Sequence, residues 1–395
     1  MGPVVLLALV FGVSGFGAQA VLAATPRQWS LAGDHLPLGV ASRTDTVPGS
    51  NNIVDFVFSS PSVWAGTASG VSRADLPNNL WTLSPSAIGW TTYTKEDGLG
   101  SNEIPALGVF PSGVWAATSH AEVRADRLVR FGDGIFQFDA GTGHWIDRSP
   151  ADRQASGPFM VAYDLAEFRG AVLAACFAGG LVMTTDGGTT WKNIYPDGTA
   201  KNDFETKQFL DLNNRLFSVV VDPAVPESVA VYAGTAYGIN KYIYLNDTLK
   251  MTGYRAAALA VDGARLYAAT ESGLSRTPDR GSSWKSYYPS RAFPTSDRIT
   301  AVMARGDSIY YGVASADGTA GNGIVYSLDN GHTWHWSQPV EATGPGRQVA
   351  AIVLAAGMVF AACEDGGFIS SANLGLSWDP VFVDQPAHAL LVVQT

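Results

Sequence analysis

The chain has 395 residues, 46% of them hydrophobic and only 15% charged, where an ordinary globular domain is about one quarter charged. So much apolar surface excludes intrinsic disorder. A net charge of −10 with no basic run excludes nucleic acid as the main partner, because phosphate binding draws on clustered Lys and Arg.

Residues 3–24 carry no charge and end in small-residue steps, Ala18-Gln19-Ala20 and Val21-Leu22-Ala23. This pattern reads as a secretory signal over 1–24, with a retained anchor as the alternative. No Lys or Arg precedes the apolar run, which departs from the usual signal, and no Cys follows it to take a lipid. No later segment reaches about 18 consecutive apolar residues, so no membrane span is expected in the mature chain. The expected location is secreted or periplasmic.

From there on the chain repeats itself. AGTASGVSRADLP (65–77) and AATESGLSRTPDR (268–280) are near copies. So are AACFAGGLVMTTDGG (174–188), AGTAYGINKYIYL (233–245) and AACEDGGFISSANLG (361–375). Each follows an apolar pair, and weaker copies follow Val114-Trp115 and Ile309-Tyr310, giving seven copies 35 to 59 residues apart. Each unit divides into four short strands. In the sixth, RITAVMAR (298–305), SIYYGVA (308–314), GIVYSL (323–328) and TWHWS (333–337) are apolar runs separated by Gly and Asp turns, the mark of antiparallel strands. Nothing after the signal keeps a helical period. The expected fold is all-β: a seven-bladed β-propeller of four-stranded blades over 25–395. Trp29-Ser30-Leu31 and HALLVVQT (388–395) are expected to help close the ring.

Four turns share one pattern: TTDGGTTW (184–191), TPDRGSSW (277–284), SLDNGHTW (327–334) and SANLGLSW (371–378). Asp186, Asp279 and Asp329 can each accept backbone N–H groups across the turn, with Asn373 in their place in the last copy. Trp191, Trp284, Trp334 and Trp378 then pack between blades. The same register puts Cys176 and Cys363 in second strands of blades three steps apart, about 20 Å from one another. A disulfide needs Cα atoms within about 7 Å, so two separate buried thiols are expected.

These turns resemble the Asp-box, or BNR repeat, of the sialidase-like superfamily. TTDGGTTW after GGLVM is most similar to propellers of the photosystem II assembly-factor type. WTTYTKEDGLGSNEIPALGVFPSGVWAAT (90–118), taken as blade two, resembles propeller repeats of two-component sensors. The resemblance implies that the turn residues are structural and lie away from the ligand face. It also implies an arginine patch that binds a partner; the photosynthetic partner itself is not carried over.

On the opposite face, the start of the innermost strand reads Asn52, Glu103, Phe159, Arg215, Arg255, Arg298 and Gln348, with Arg347 just before the last. Arg215, Arg255, Arg298 and Arg347 are therefore candidate anion ligands, since guanidinium groups grip carboxylates bidentately. The bland alternative pairs each with a loop acid such as Glu271. Tyr237 and Glu271 join the candidates from the loops between second and third strands. A long insertion, HAEVRADRLVRFGD (120–133), adds His120, Glu122 and Arg124 as a binding loop.

No metal or cofactor is expected. His332 and His335 stand at a turn without further ligands, and ASADGTAGNG (314–323) lacks the Lys-Ser/Thr ending of a phosphate loop. The functional expectation is a non-enzymatic binding or scaffold propeller for a protein, a peptide or an anionic glycan. The alternative is a sialidase-like glycoside hydrolase, with Arg255, Arg298 and Arg347 on a carboxylate and Tyr254 or Tyr237 with Glu271 as nucleophile pair. Against it, the Phe/Tyr-Arg-Ile-Pro segment of that family is absent.

Overall fold

A computed structural model of the chain describes residues 44–45, 53–59, 61–75, 90–124, 127–150, 161–177, 179–195, 214–222, 231–235, 238–243, 248–254, 258–262, 265–270, 273–287, 298–314, 321–337, 349–355, 358–363 and 367–382. They fall into two compact units, one up to Met251 and one from Thr252, with Asp222–Pro226 belonging to the second. The signal segment, Trp29-Ser30-Leu31 and 388–395 lie outside the described residues.

In the first unit, β1 (Thr44–Asp45), β2 (Ile53–Ser59), β3 (Ser62–Thr67), β4 (Gly70–Asp75) and β5 (Trp90–Tyr93) form one sheet in the order β1-β5-β4-β3-β2. The second sheet is β6 (Glu103–Phe110), β7 (Gly113–Arg124), β8 (Arg127–Asp139) and β9 (His144–Asp147). The third is β10 (Ala162–Phe168), β11 (Ala171–Cys176), β12 (Gly180–Thr184) and β13 (Lys192–Ile194). The fourth is β14 (Leu216–Val221), β15 (Val231–Thr235), β16 (Gly238–Ile243) and β17 (Thr248–Tyr254), the last crossing into the second unit.

The second unit holds three more sheets. They are β18 (Ala258–Asp262), β19 (Arg265–Thr270), β20 (Gly273–Thr277) and β21 (Lys285–Tyr287); β22 (Arg298–Arg305), β23 (Ser308–Ala314), β24 (Gly321–Ser327) and β25 (His335–Ser337); and β26 (Val349–Ala355), β27 (Met358–Cys363), β28 (Gly367–Ser371) and β29 (Asp379–Phe382). Every described strand pairing is antiparallel between sequence neighbours, apart from β1 on β5. A 3-10 turn stands at Lys95–Asp97, capped by Thr94.

The second strands β3, β11 and β15 are buried along their whole length, and their small residues explain how. A methyl group on Gly66 of β3 would sit 3.0 Å from Ile104 of β6. On Gly312 of β23 it would sit 2.6 Å from the Thr300 hydroxyl and 2.8 Å from Val349. Within each unit a second strand packs directly on the first strand of the following sheet, β3 on β6, β11 on β14, β19 on β22 and β23 on β26. Apolar side chains fill the seam, as where Phe110, Trp115 and Ile135 meet Leu165, Val172 and Val182.

The first strands share a local distortion. In β2, β6, β10, β14, β22 and β26 the pairing with the second strand slips near the strand start. A bulge of this kind bends a strand and re-aims its side chains. Just past it in β2, Asp55, 4% exposed, accepts the Leu107 N–H of the next first strand at 2.8 Å. Asp164, at the same step in β10, accepts the Val219 N–H at 2.9 Å. These carboxylates tie one sheet to the next.

At the other end, the turns before β13, β21, β25 and β29 follow one hydrogen-bond plan. The Asp186 carboxylate accepts the Thr190 N–H at 2.9 Å and its hydroxyl at 2.6 Å, while the Thr184 hydroxyl accepts the Gly188 N–H at 2.9 Å. Asp279 with Ser283 and Asp329 with Thr333 repeat this. Asn373 Oδ1 accepts the Ser377 N–H at 2.9 Å. The tryptophan that follows reaches the preceding sheet. Trp191 Nε1 donates to the Arg148 carbonyl at 2.6 Å, and Trp378 Nε1 donates to Ser337 Oγ at 2.8 Å. Trp378 is buried, whereas Trp191, Trp284 and Trp334 are half-buried.

Three boundaries differ from the sequence reading. Trp90–Tyr93 is the fourth strand of the first sheet, so the second sheet begins only at Glu103. The third begins at Ala162, with Phe159 outside the described residues. The insertion at 120–133 is not a loop: β7 and β8 stay paired from Trp115↔Gln137 out to Arg124↔Arg127, because alternating side chains suit a ladder that continues past the sheet. Cys176 is a free, buried thiol that burial pushes up to about 12. Cys363 ends β27.

Candidate functional site

The bulges in β10 and β14 place Tyr163 and Phe217 at the strand-start end of the first unit. Their rings stack, centroids 5.8 Å apart at 28°. Phe177 follows β11, where its N–H donates to the Val161 carbonyl at 2.9 Å. Its ring meets Tyr163 edge-on at 6.2 Å and Phe217 at 6.1 Å. Tyr163 and Phe217 are each 8% exposed, so the three rings make a nearly solid floor.

Arg215, the residue before β14, holds its guanidinium carbon 5.4 Å from the centroid of Phe177. Burial lowers its pKa, and a cation over an aromatic face is stabilised by the ring quadrupole. Across the floor, Arg130 of β8 bonds Glu103, the first residue of β6, as a sheltered ion pair with side chains 18% and 15% exposed. Burial pushes the Tyr163 phenol up to about 12, with the Arg130 charge opposing and the Glu103 charge adding to the shift. The phenol is therefore neutral throughout the physiological range and is no ready nucleophile.

Beside this floor rises the β7–β8 arm. His120 Nδ1 lies 2.8 Å from Asp133, Nε2 lies 3.2 Å from Glu122, and the ring stacks on Phe131 at 5.4 Å. Burial on its own would lower the imidazole pKa. The hydrogen bond and charge of Asp133, followed by those of Glu122, outweigh burial and raise it. His120 and Glu122 thus brace the arm together. Arg124 closes the ladder opposite Arg127.

Of the other residues expected at this face, Arg298 begins β22. It precedes the bulge of its strand by the same step as Arg215 does in β14. Arg255, Arg347, Tyr237 and Glu271 lie outside the described residues, and Tyr254 ends β17. Among the described residues no three His, Cys, Asp or Glu side chains converge as a metal site. Sequence reasoning missed Tyr163, Phe177, Phe217 and Arg130. A bulge leaves no signature in periodicity, and Arg130 meets Glu103 across 27 residues.

No family model and no curated protein matches the chain. Solved structures do. The computationally designed Ika8 protein has a TM-score of 0.50 at 13% identity, over 87% of this chain and 90% of that one. YCF48 from Cyanidioschyzon merolae gives 0.50 at 13%, over 85% and 96%. YCF48 bound to D1 peptide gives 0.50 at 12%, over 87% and 93%. The YCF48 structures are β-propellers. At such identity the likeness is one of fold, and the class it defines with the repeated four-stranded sheets is an all-β, propeller-like protein. Among the described residues no helix is long and apolar enough to cross a membrane.

Proposed function

We propose that this chain is an exported, seven-bladed propeller of the Asp-box type, and that it works by binding rather than by catalysis. Its ligand is a protein or peptide segment bearing an anionic group. The observation that carries this reading is Arg215 seated on Phe177 beside the stacked Tyr163 and Phe217. Such a floor suits an apolar side chain, and the guanidinium donates to a carboxylate beside it. The peptide-bound YCF48 structure has a similar fold, which supports a peptide as the partner. Arg298, the register counterpart of Arg215, is proposed to serve the same purpose in its own sheet. Asp186, Asp279, Asp329 and Asn373 with their tryptophans are proposed to be structural.

The test is a screen of carboxylate-bearing peptides and glycans by calorimetry, with release from chromogenic glycosides followed in parallel. Arg215→Gln should cost about 2–5 kcal/mol of peptide affinity and lower stability only by the cation–π contact with Phe177, roughly 0.5–2 kcal/mol. Saturable peptide binding without turnover supports the proposal. Glycoside turnover would replace it with the hydrolase reading, and affinity unchanged in Arg215→Gln would remove the site.

A further inference from the structure

The β7–β8 ladder carries a charged clasp close to the rung where β6 ends. That rung is Glu103↔Ser119, and β7 and β8 stay paired on to Arg124↔Arg127. Their pairing slips between Thr118↔Gly134 and Ser119↔Gly132, which leaves Asp133 as the extra residue of a bulge. A bulge re-aims the side chain it carries. Both Asp133 carboxylate oxygens lie 2.8 Å from His120 Nδ1. Glu122, on the same face of β7, brings Oε1 to 3.2 Å from His120 Nε2. Phe131, opposite His120 in the ladder, stacks on the imidazole. Among the described residues, the charged groups facing the ring are thus Asp133 of β8 and Glu122 of β7, while Arg130 of β8 is engaged with Glu103 of β6.

An imidazole with a carboxylate at each nitrogen responds to a single proton. The imidazolium has two N–H donors, one for each acid, whereas the neutral ring has one donor and one lone pair. Asp133 is the nearer acid and keeps the donor, so a neutral ring turns its lone pair on Glu122. We propose that His120 is a pH-sensitive clasp: protonated, it ties Glu122 to Asp133 and holds the arm closed, and on losing its proton it releases Glu122 and loosens the arm. The next rung is Ala121↔Arg130, so the clasp also sets how firmly the strand carrying Arg130 is held near Tyr163. The electrostatics agree with the geometry. Burial lowers the His120 pKa, but the hydrogen bond and charge of Asp133, then those of Glu122, bring it above the ordinary 6.5. A proton held more tightly in the folded chain contributes stability that is complete below the unfolded value and lost as pH rises through the folded one. The clasp is therefore closed below pH 6.5 and opens as pH rises from there through the folded pKa.

The test is hydrogen exchange of the full chain, followed by mass spectrometry from about pH 5.5 to about pH 8.5 and corrected for the intrinsic pH dependence of amide exchange. The His120 imidazole is titrated in parallel by NMR. Peptides from 119–124 and 127–133 should lose protection as pH rises, about tenfold for each pH unit that separates the folded His120 midpoint from its ordinary value. In His120→Gln the protection of the arm should be independent of pH. In Glu122→Gln the His120 midpoint should fall and the arm should loosen at lower pH, because one of the two charges that hold the proton is gone. A thermal melt of each variant confirms that it is folded. Arm protection indifferent to pH in the wild type overturns the proposal, as does a folded His120 midpoint at or below 6.5, or a pH dependence that survives in His120→Gln.

Discussion

Asp279 shows how one side chain shapes a turn. Its carboxylate accepts the Ser283 N–H at 2.8 Å, the Ser283 hydroxyl at 2.6 Å and the Thr277 hydroxyl at 2.7 Å. Led by the Ser283 hydroxyl, these bonds hold its pKa at about 2, against an ordinary 3.8. A carboxyl depressed on folding contributes stability that is present above its unfolded pKa and lost as pH falls through the folded one. The turn should therefore weaken between about pH 4 and pH 2. Asp186 shares this behaviour with a pKa of about 2, and Asp329 is lowered in the same way. Asn373 makes the corresponding bonds without a titrating group, so the last turn is indifferent to acid. Melting temperatures of Asp279→Asn and wild type should converge as pH drops from 4 to 2. A gap that stays constant over that range would show that the carboxylate charge contributes nothing.

At the level of the sheet, stability rests on how closely consecutive sheets meet. Trp378 is 7% exposed, packs with Tyr310 and Ile352, and donates to Ser337 across the seam. Trp378→Ala should cost about 3–5 kcal/mol, as for a buried aromatic. Trp378→Phe should cost less, since it keeps most of the packing. Trp191 is half-buried against Trp115, 6.5 Å away, so Trp191→Ala should cost less than Trp378→Ala. Urea denaturation orders the three, and equal losses at Trp191 and Trp378 would contradict the difference in burial. The small residues test the same seam from the opposite direction. Gly312→Ala forces a methyl group against Thr300 and Val349 and should cost about 1–3 kcal/mol by overpacking. If Gly312→Ala is as stable as wild type, Thr300 and Val349 yield at no cost.

For the whole molecule, the proposed closed ring carries a thermodynamic consequence. In a ring of packed sheets each sheet buries both faces against neighbours, so none can melt without exposing the next. Calorimetry should therefore give one transition whose calorimetric and van't Hoff enthalpies agree. Two separated transitions, one for each compact unit, would rule out the closed seven-bladed arrangement.

The four-stranded unit, the strands of its sixth copy and the repeated turns were legible from the chain itself. They depend on short-range chemistry: alternating apolar residues, Gly where a turn needs positive φ, and an Asp four residues before the N–H it accepts. The first strand of the sixth sheet, read as 298–305, is β22, Arg298–Arg305. The arm at 120–133 was read as a loop, since Gly and charged residues within it obscured a ladder that only pairing reveals. The floor of the candidate site was invisible. Tyr163 and Phe217 meet because bulges shift two strands of different sheets by one residue each, and Asp55 finds its N–H 52 residues away. Such contacts are set by the twist and spacing of neighbouring sheets, quantities that arise only when the sheets pack. The sequence by itself thus determined the four-stranded repeat and its recurring turns, and tertiary structure decided which sheet a boundary strand joins and which side chains share a face, because their separation along the chain far exceeds the reach of any local pattern.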